Sequence, residues 1–147
     1  VTADLDSAAV TQVADAEAAR LQALGVKAGD SIGWLAYNHP RTLGLLQACR
    51  RLGARWVPLN WRLAAAELAH IAEHADLQHL LHDEPHADLA AQVMQRVPLP
   101  QPQAPGHESG DLMLVYTSGT TGQPKGAIHT AAGMDANVAA AIACQDL

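Results

Sequence analysis

Four hydroxyls, two glycines and a lysine crowd the stretch Thr117–Lys125, inside LMLVYTSGTTGQPKGAIH at residues 112–129. Gly119 and Gly122 let the backbone pass through positive φ and approach a ligand closely, so successive N–H groups can point into one concavity. The hydroxyls of Thr117, Ser118, Thr120 and Thr121 add donors of little bulk, Pro124 stiffens the exit, and Lys125 supplies one full positive charge. Such a loop suits an anion, and phosphate in particular. Spacing excludes two familiar phosphate loops. A Walker A lysine follows its glycine and precedes Ser or Thr, whereas Lys125 precedes Gly126 and then Ala127. The dinucleotide fingerprint G-x-G-x-x-G fails because Gly119, Gly122 and Gly126 lie three and then four residues apart. A plain surface loop of small polar residues is the remaining alternative, and it accounts poorly for ordered apolar flanks and a Pro-Lys-Gly exit.

A loop of this kind has to be held at the end of a strand. Leu112–Tyr116 is a short apolar run of strand character leading in, and Ala127–His129 a short strand leading out. Upstream, helical and extended patterns alternate. A helix over 7–24 starts at Ser7 as N-cap, turns Val10, Val13, Ala14, Leu21 and Leu24 to one face and closes at Gly25. Glu17 falls on that stripe, which predicts a shift of helix phase or a partly exposed face. Strands follow at 31–36, 56–59 and 77–82, and helices start at Arg41 and span 64–75 and 87–97. A last helix over 130–143 should carry Val138 and Ile142 inward. Short connections between alternating elements predict an α/β fold, a mostly parallel sheet with right-handed crossovers and helices on both faces. In such a sheet ligands gather beyond the carboxyl ends of the strands, where the loop at 117–125 would sit. Residues 1–6 read as an edge strand or a lead-in. Residues 98–107, PLPQPQAPGH, carry four of the eight prolines and read as an extended surface connection within one domain.

Over Tyr116–Gly126 the sequence resembles, at every position, the signature phosphate loop of the adenylate-forming (AMP-binding) enzymes: acyl- and aryl-CoA synthetases, firefly-type luciferases and peptide-synthetase adenylation domains. Val57–Leu63, VPLNWRL, is similar to the CoA-ligase branch, whereas peptide-synthetase domains usually carry Asp-Pro after the Pro-Leu. The resemblance implies ATP-dependent activation of a carboxylic acid. The acid's oxygen attacks the α-phosphorus, pyrophosphate leaves, and the thiol of CoA then displaces AMP. It further implies that Thr117, Ser118, Gly119, Thr120, Thr121, Gly122 and Lys125 hold the nucleotide's phosphates, with Mg2+ accompanying ATP. Asn60–Leu63 tilts the acid towards a fatty or other aliphatic one. Residues 1–147 would be a partial N-terminal (AMP-binding) domain, partnered by the remainder of the synthetase. The C-terminal domain and its catalytic lysine would be absent, so no catalytic residue is assigned within the chain and the chain alone would be inactive. A stand-alone phosphate- or nucleotide-binding module without catalysis is the alternative, and an inert folding unit a third.

Length and composition set the outer limits. With 147 residues and 49% hydrophobic content the chain can bury one core, but aromatic content is 3% with no Phe, so Leu, Val, Ile and Ala must fill it. A net charge of −6 repels nucleic acid and anionic membrane, so any anion must be held locally. No run approaches the ~18 apolar residues of a membrane span, and no signal-peptide pattern is present. The start at Val1 hints that something upstream has been removed. Cys49 and Cys144 lie far apart without framework or metal spacing, which predicts free buried thiols and a reducing, cytoplasmic setting. His70 and His74 share a helical face at a spacing zinc can use, but no further close ligands accompany them, so surface histidines are the simpler expectation. Arg50, Arg51 and Arg55 read either as a basic patch for phosphates or, preferably, as a solvated helix end favoured by the helix dipole. An uncovered sheet edge would promote self-association.

Overall fold

Ser31–Leu35 (β1) is buried at every position, the pattern a central parallel strand needs when both its faces are covered. The computed structural model describes residues 7–99, 110–117 and 124–145, and the expectations for 1–6 and 100–107 lie outside them. On either side of β1 stand Arg55–Leu59 (β2) and Leu77–His82 (β3), both parallel to it. Asp111–Thr117 (β4) adds to β2 in parallel, and Lys125–Thr130 (β5) closes the sheet antiparallel to β4, giving the order β3-β1-β2-β4-β5. The α/β sheet is thus mostly parallel, as the alternation predicted.

Among the described residues five α-helices decorate it: Ser7–Ala23 (α1), Arg41–Leu52 (α2), Ala65–His74 (α3), Ala87–Arg96 (α4) and Ala131–Gln145 (α5). Side chains alternate along each strand, so the sheet feeds two cores. Ile32, Trp34, Trp56 and Leu81 pack with Leu21 of α1 and Leu45, Ala48 and Cys49 of α2. Leu35, Val57, Leu59, Leu77 and Leu114 pack on the other face with Leu68 and Ile71 of α3 and Ala90 and Val93 of α4. The β1–β2 and β2–β3 connections run in opposite directions across the sheet and carry their helices on opposite faces, as two crossovers of one hand require.

Local chemistry sets the ends of these elements. Gly25 and Gly53 adopt φ of +81° and +67° just past α1 and α2, where a Cβ would be strained. The Glu67 carboxylate accepts the N–H of Ala64 at 2.9 Å and so satisfies one orphan donor at the start of α3.

Several expectations require correction. Glu17 lies on the packed face of α1, 6% exposed, with no shift of helix phase, because Arg41 forks onto its carboxylate and Arg20 approaches at 3.5 Å. Val138 and Ile142 are 57% and 48% exposed rather than packed inward, because they line an open groove between α5 and α2 beside Leu46 and Leu112. Leu24 is also exposed, as α1 ends one residue before it. Cys49 is buried as expected, but Cys144 is exposed, and both thiols are free. Among the described residues no helix is long and apolar enough to cross a membrane.

Candidate functional site

Because β4 runs parallel to β2, the chain that follows it leaves at the carboxyl edge of the sheet, and β5 brings it back. Thr117 and Lys125 are the last facing pair of this hairpin, Tyr116 faces Gly126, and Val115 faces Ala127. Facing residues on antiparallel strands have Cα atoms about 4.5–5.5 Å apart, so one hydroxyl and one ammonium stand together at the mouth of the intervening turn. Both residues are exposed, and among the described residues no carboxylate pairs with Lys125. Lys125 belongs to β5 itself rather than to the loop exit, which fixes its backbone. Ser118, Gly119, Thr120, Thr121 and Gly122 lie outside the described residues.

The base of the hairpin is tied to the sheet's apolar side. The Tyr116 phenol meets Nδ1 of His74, the last residue of α3, at 2.7 Å with the two rings edge to face. Burial pushes this phenol up to about 12 despite the neighbouring Arg55, so Tyr116 keeps its proton. The interaction went unread in the sequence, although a tyrosine ending an apolar strand signals a ring with a polar tip in need of a partner. His74 is therefore engaged through Nδ1, and among the described residues no group of three His, Cys, Asp or Glu could hold a metal ion.

A second cluster shares the carboxyl edge of the sheet. Tyr37 beyond β1, Trp61 beyond β2 and His86 beyond β3 place their rings in mutual contact, with centroids 4.6–5.7 Å apart. Arg62 lies over Trp61 at 4.2 Å. Asp83 accepts hydrogen bonds from the Tyr37 N–H at 3.1 Å and from His86. Partial burial pushes its carboxyl up, but these bonds prevail and hold it below the ordinary carboxylate value. By contrast the three arginines considered as a phosphate patch are already occupied. Arg50 forks onto Asp135 at 2.8 and 2.6 Å, Arg51 pairs with Asp15, and Arg55 donates to Ser31 Oγ and the Ala75 carbonyl.

Both the sequence and the fold of the chain are matched by known proteins. The profile of the AMP-binding enzyme family covers residues 7–147. The chain belongs to this family. A feruloyl-CoA synthase from Amycolatopsis sp is 42% identical over 122 residues, which are 75% of this chain and 25% of that protein. The long-chain-fatty-acid–CoA ligase FadD13 of Mycobacterium tuberculosis is 31% identical over 132 residues, 75% of this chain and 26% of that one. Among solved structures, the amide bond synthetase McbA from Marinactinospora thermotolerans superposes with a TM-score of 0.79 at 26% identity, covering 94% of this chain and 32% of that one. This member of the AMP-binding family therefore spans about a quarter of the length of the curated relatives it matches.

Proposed function

We propose that the chain is the N-terminal part of an ATP-dependent acid–CoA ligase, and that its task is to hold the phosphates of ATP while an acyl-adenylate forms, before CoA takes the acyl group. The observation that carries this reading is the Thr117–Lys125 pair closing a turn of the sequence SGTTGQP. As the substrate's carboxylate attacks the α-phosphorus, negative charge builds on the departing pyrophosphate. Fixed N–H and hydroxyl dipoles with one ammonium would stabilise that charge without transferring a proton. Thr117 and Lys125 fit phosphate oxygens well, being exposed and free of any described carboxylate. Mg2+, when bound, neutralises phosphate charge. The described residues offer donors rather than a carboxylate cluster here, so the ion would ride on phosphate and water oxygens.

In this reading residues 1–147 are a partial N-terminal domain, the acid-binding pocket and the adenine contacts belong to the remainder of the enzyme, and the setting is cytoplasmic. The acid is fatty or other aliphatic on the strength of Asn60–Leu63, and the 31% identity to FadD13 supports this. The 42% identity to a feruloyl-CoA synthase supports an aromatic acid as a second reading. Exchange of labelled pyrophosphate into ATP, run with long-chain, short-chain and cinnamate-type acids on the protein carrying the whole domain, tests the reaction and separates the two acids. The chain alone should bind pyrophosphate without exchanging it. Robust exchange by residues 1–147 would remove the partial-domain reading, and loss of all pyrophosphate binding would remove the phosphate-holding one.

A further inference from the structure

The hairpin is held to the sheet mainly through β4, whose Leu112 and Leu114 are buried. Every residue of β5 is exposed, and among the described residues β4 registers with β2 at the pair Trp56–Met113. Near its tip a polar tie reaches the hairpin from α3, between His74 Nδ1 and the Tyr116 hydroxyl at 2.7 Å. Tyr116 faces Gly126 across the hairpin, and the position a Cβ on Gly126 would take lies 3.4 Å from Cε1 and Cζ of the tyrosine ring and 2.8 Å from Leu114 Cδ1. The ring therefore lies over glycine backbone next to Lys125, where no side chain keeps the strands apart.

We propose that His74 is a positioning residue for the phosphate loop: by holding the Tyr116 ring over Gly126 it sets the spacing of the two strands, and so of Thr117 and Lys125 at their tips. This rests on the phosphate-holding reading only for its consequence in binding, since the strut itself is a property of the free chain. A helix end thus reaches the site through one side chain, and α3 becomes the element whose packing decides how firmly the mouth of the loop is kept. Neither His74 nor Tyr116 needs to touch the nucleotide.

Amide hydrogen exchange on the unmodified chain, Tyr116→Phe, His74→Ala and His74→Asn tests the strut without ligand. Tyr116→Phe and His74→Ala should each raise exchange across residues 113–117 and 125–129 by about fivefold, the factor that loss of one ordinary hydrogen bond gives. Rates in α1, β1 and α2 should stay put, and the tryptophan fluorescence of Trp34 and Trp56 should report an intact core. His74→Asn, which keeps a hydrogen-bonding group near the place of Nδ1, should restore most of the protection. Unchanged hairpin exchange in His74→Ala, a rise shared by every element, or an Asn variant no better than Ala would each overturn the strut. Calorimetry with inorganic pyrophosphate then reads the consequence: Kd should rise several-fold in His74→Ala and recover in His74→Asn. A loosened hairpin with unaltered pyrophosphate affinity would overturn the positioning role. An unmodified chain that takes up no pyrophosphate would overturn the phosphate-holding reading instead, with exchange still deciding the strut.

Discussion

Thr117 and Lys125 face each other as the terminal pair of the β4–β5 hairpin, which puts a hydroxyl and a cation at the two edges of the turn between them. The ammonium has no described carboxylate to neutralise it, so its charge is available to an anion. Lys125→Ala should weaken pyrophosphate binding about tenfold, the usual order for one charge-assisted hydrogen bond. Lys125→Arg should keep part of the affinity, and the thermal midpoint should not move in either variant because the side chain is exposed. Calorimetry at low and at physiological salt checks this, and the loss should shrink as salt rises. An affinity indifferent to residue 125 would place the anion elsewhere.

The Glu17–Arg41 pair links α1 to the start of α2 from a carboxylate that is 8% exposed at its side chain. Removing the arginine leaves that charge in an apolar layer with Arg20, at 3.5 Å, its one remaining ion-pair partner among the described residues. Arg41→Ala should therefore cost about 2–3 kcal/mol, less than a fully buried pair because Arg41 itself is 32% exposed. Arg20→Ala should cost under about 1 kcal/mol. Urea unfolding gives both numbers. A ranking with Arg20 above Arg41 would mean that the fork onto Glu17 contributes nothing.

These contrasts also mark how far the residues alone could be read. The strands at 31–35, 55–59 and 77–82 and their helices were legible because short apolar runs and 3.6-residue stripes alternate with few-residue turns, and each element agrees with its neighbours. Glu17 was misjudged because periodicity records what a residue is and not what lies opposite it. Only the packing of α2 against α1 brings Arg41, 24 positions away, onto its carboxylate. Val138 and Ile142 failed for the converse reason: a stripe names a face but not how closely the facing element packs, and here α2 leaves an open groove. In the site, the residue types of Thr117 and Lys125 were plain from the start, while the tie between His74 and Tyr116 spans 42 positions and leaves no local signature. The letters of Ser118–Gln123 speak for themselves, and the structure adds the two strand ends that frame them.

Gly44 on α2 packs closely against Val13 of α1. A Cβ at that position would lie 2.4 Å from Val13 Cγ1 and 3.1 Å from the Val13 carbonyl carbon, and the second of these is backbone that cannot rotate away. Gly44→Ala should destabilise by about 1–3 kcal/mol through overpacking, overriding the roughly 1 kcal/mol that alanine gains over glycine inside a helix. Adding Val13→Ala removes the γ-carbon clash but not the backbone one, so it should recover only part of the loss in a double-mutant cycle. Full recovery would show that the side chain alone sets the helix spacing.

The two thiols should differ by orders of magnitude in reactivity. Burial, with help from the Glu17 charge, pushes Cys49 up to about 12, so at pH 8 about one molecule in ten thousand carries its thiolate. Cys144 is exposed on α5. A thiol reagent should therefore modify one equivalent quickly in the folded chain and the second only as fast as the chain opens, with both reacting at once in denaturant. Alanine at position 144 should abolish the fast phase, and survival of that phase would mean that Cys49 is reached through a local opening.

Acid should find the carboxyl edge of the sheet through Asp83. Its carboxyl is held below the ordinary value of 3.8, where the bonds from His86 and the Tyr37 N–H outweigh partial burial, so the folded chain binds its proton later than the unfolded chain does. A depressed carboxylate contributes stability that is fully present above the unfolded value and disappears as pH falls through the folded one. Unfolding free energy should then decline below about pH 4, and Asp83→Asn should lower stability near neutral pH while flattening that decline. Asp135, depressed by the Arg50 fork, titrates in the same direction, so the flattening should be incomplete until Asp135→Asn is added. Urea midpoints at pH 7, 4 and 3 for the single and double variants decide it. A decline unchanged in Asp83→Asn would show that the carboxylate gains nothing from the bonds that join the ends of β1 and β3.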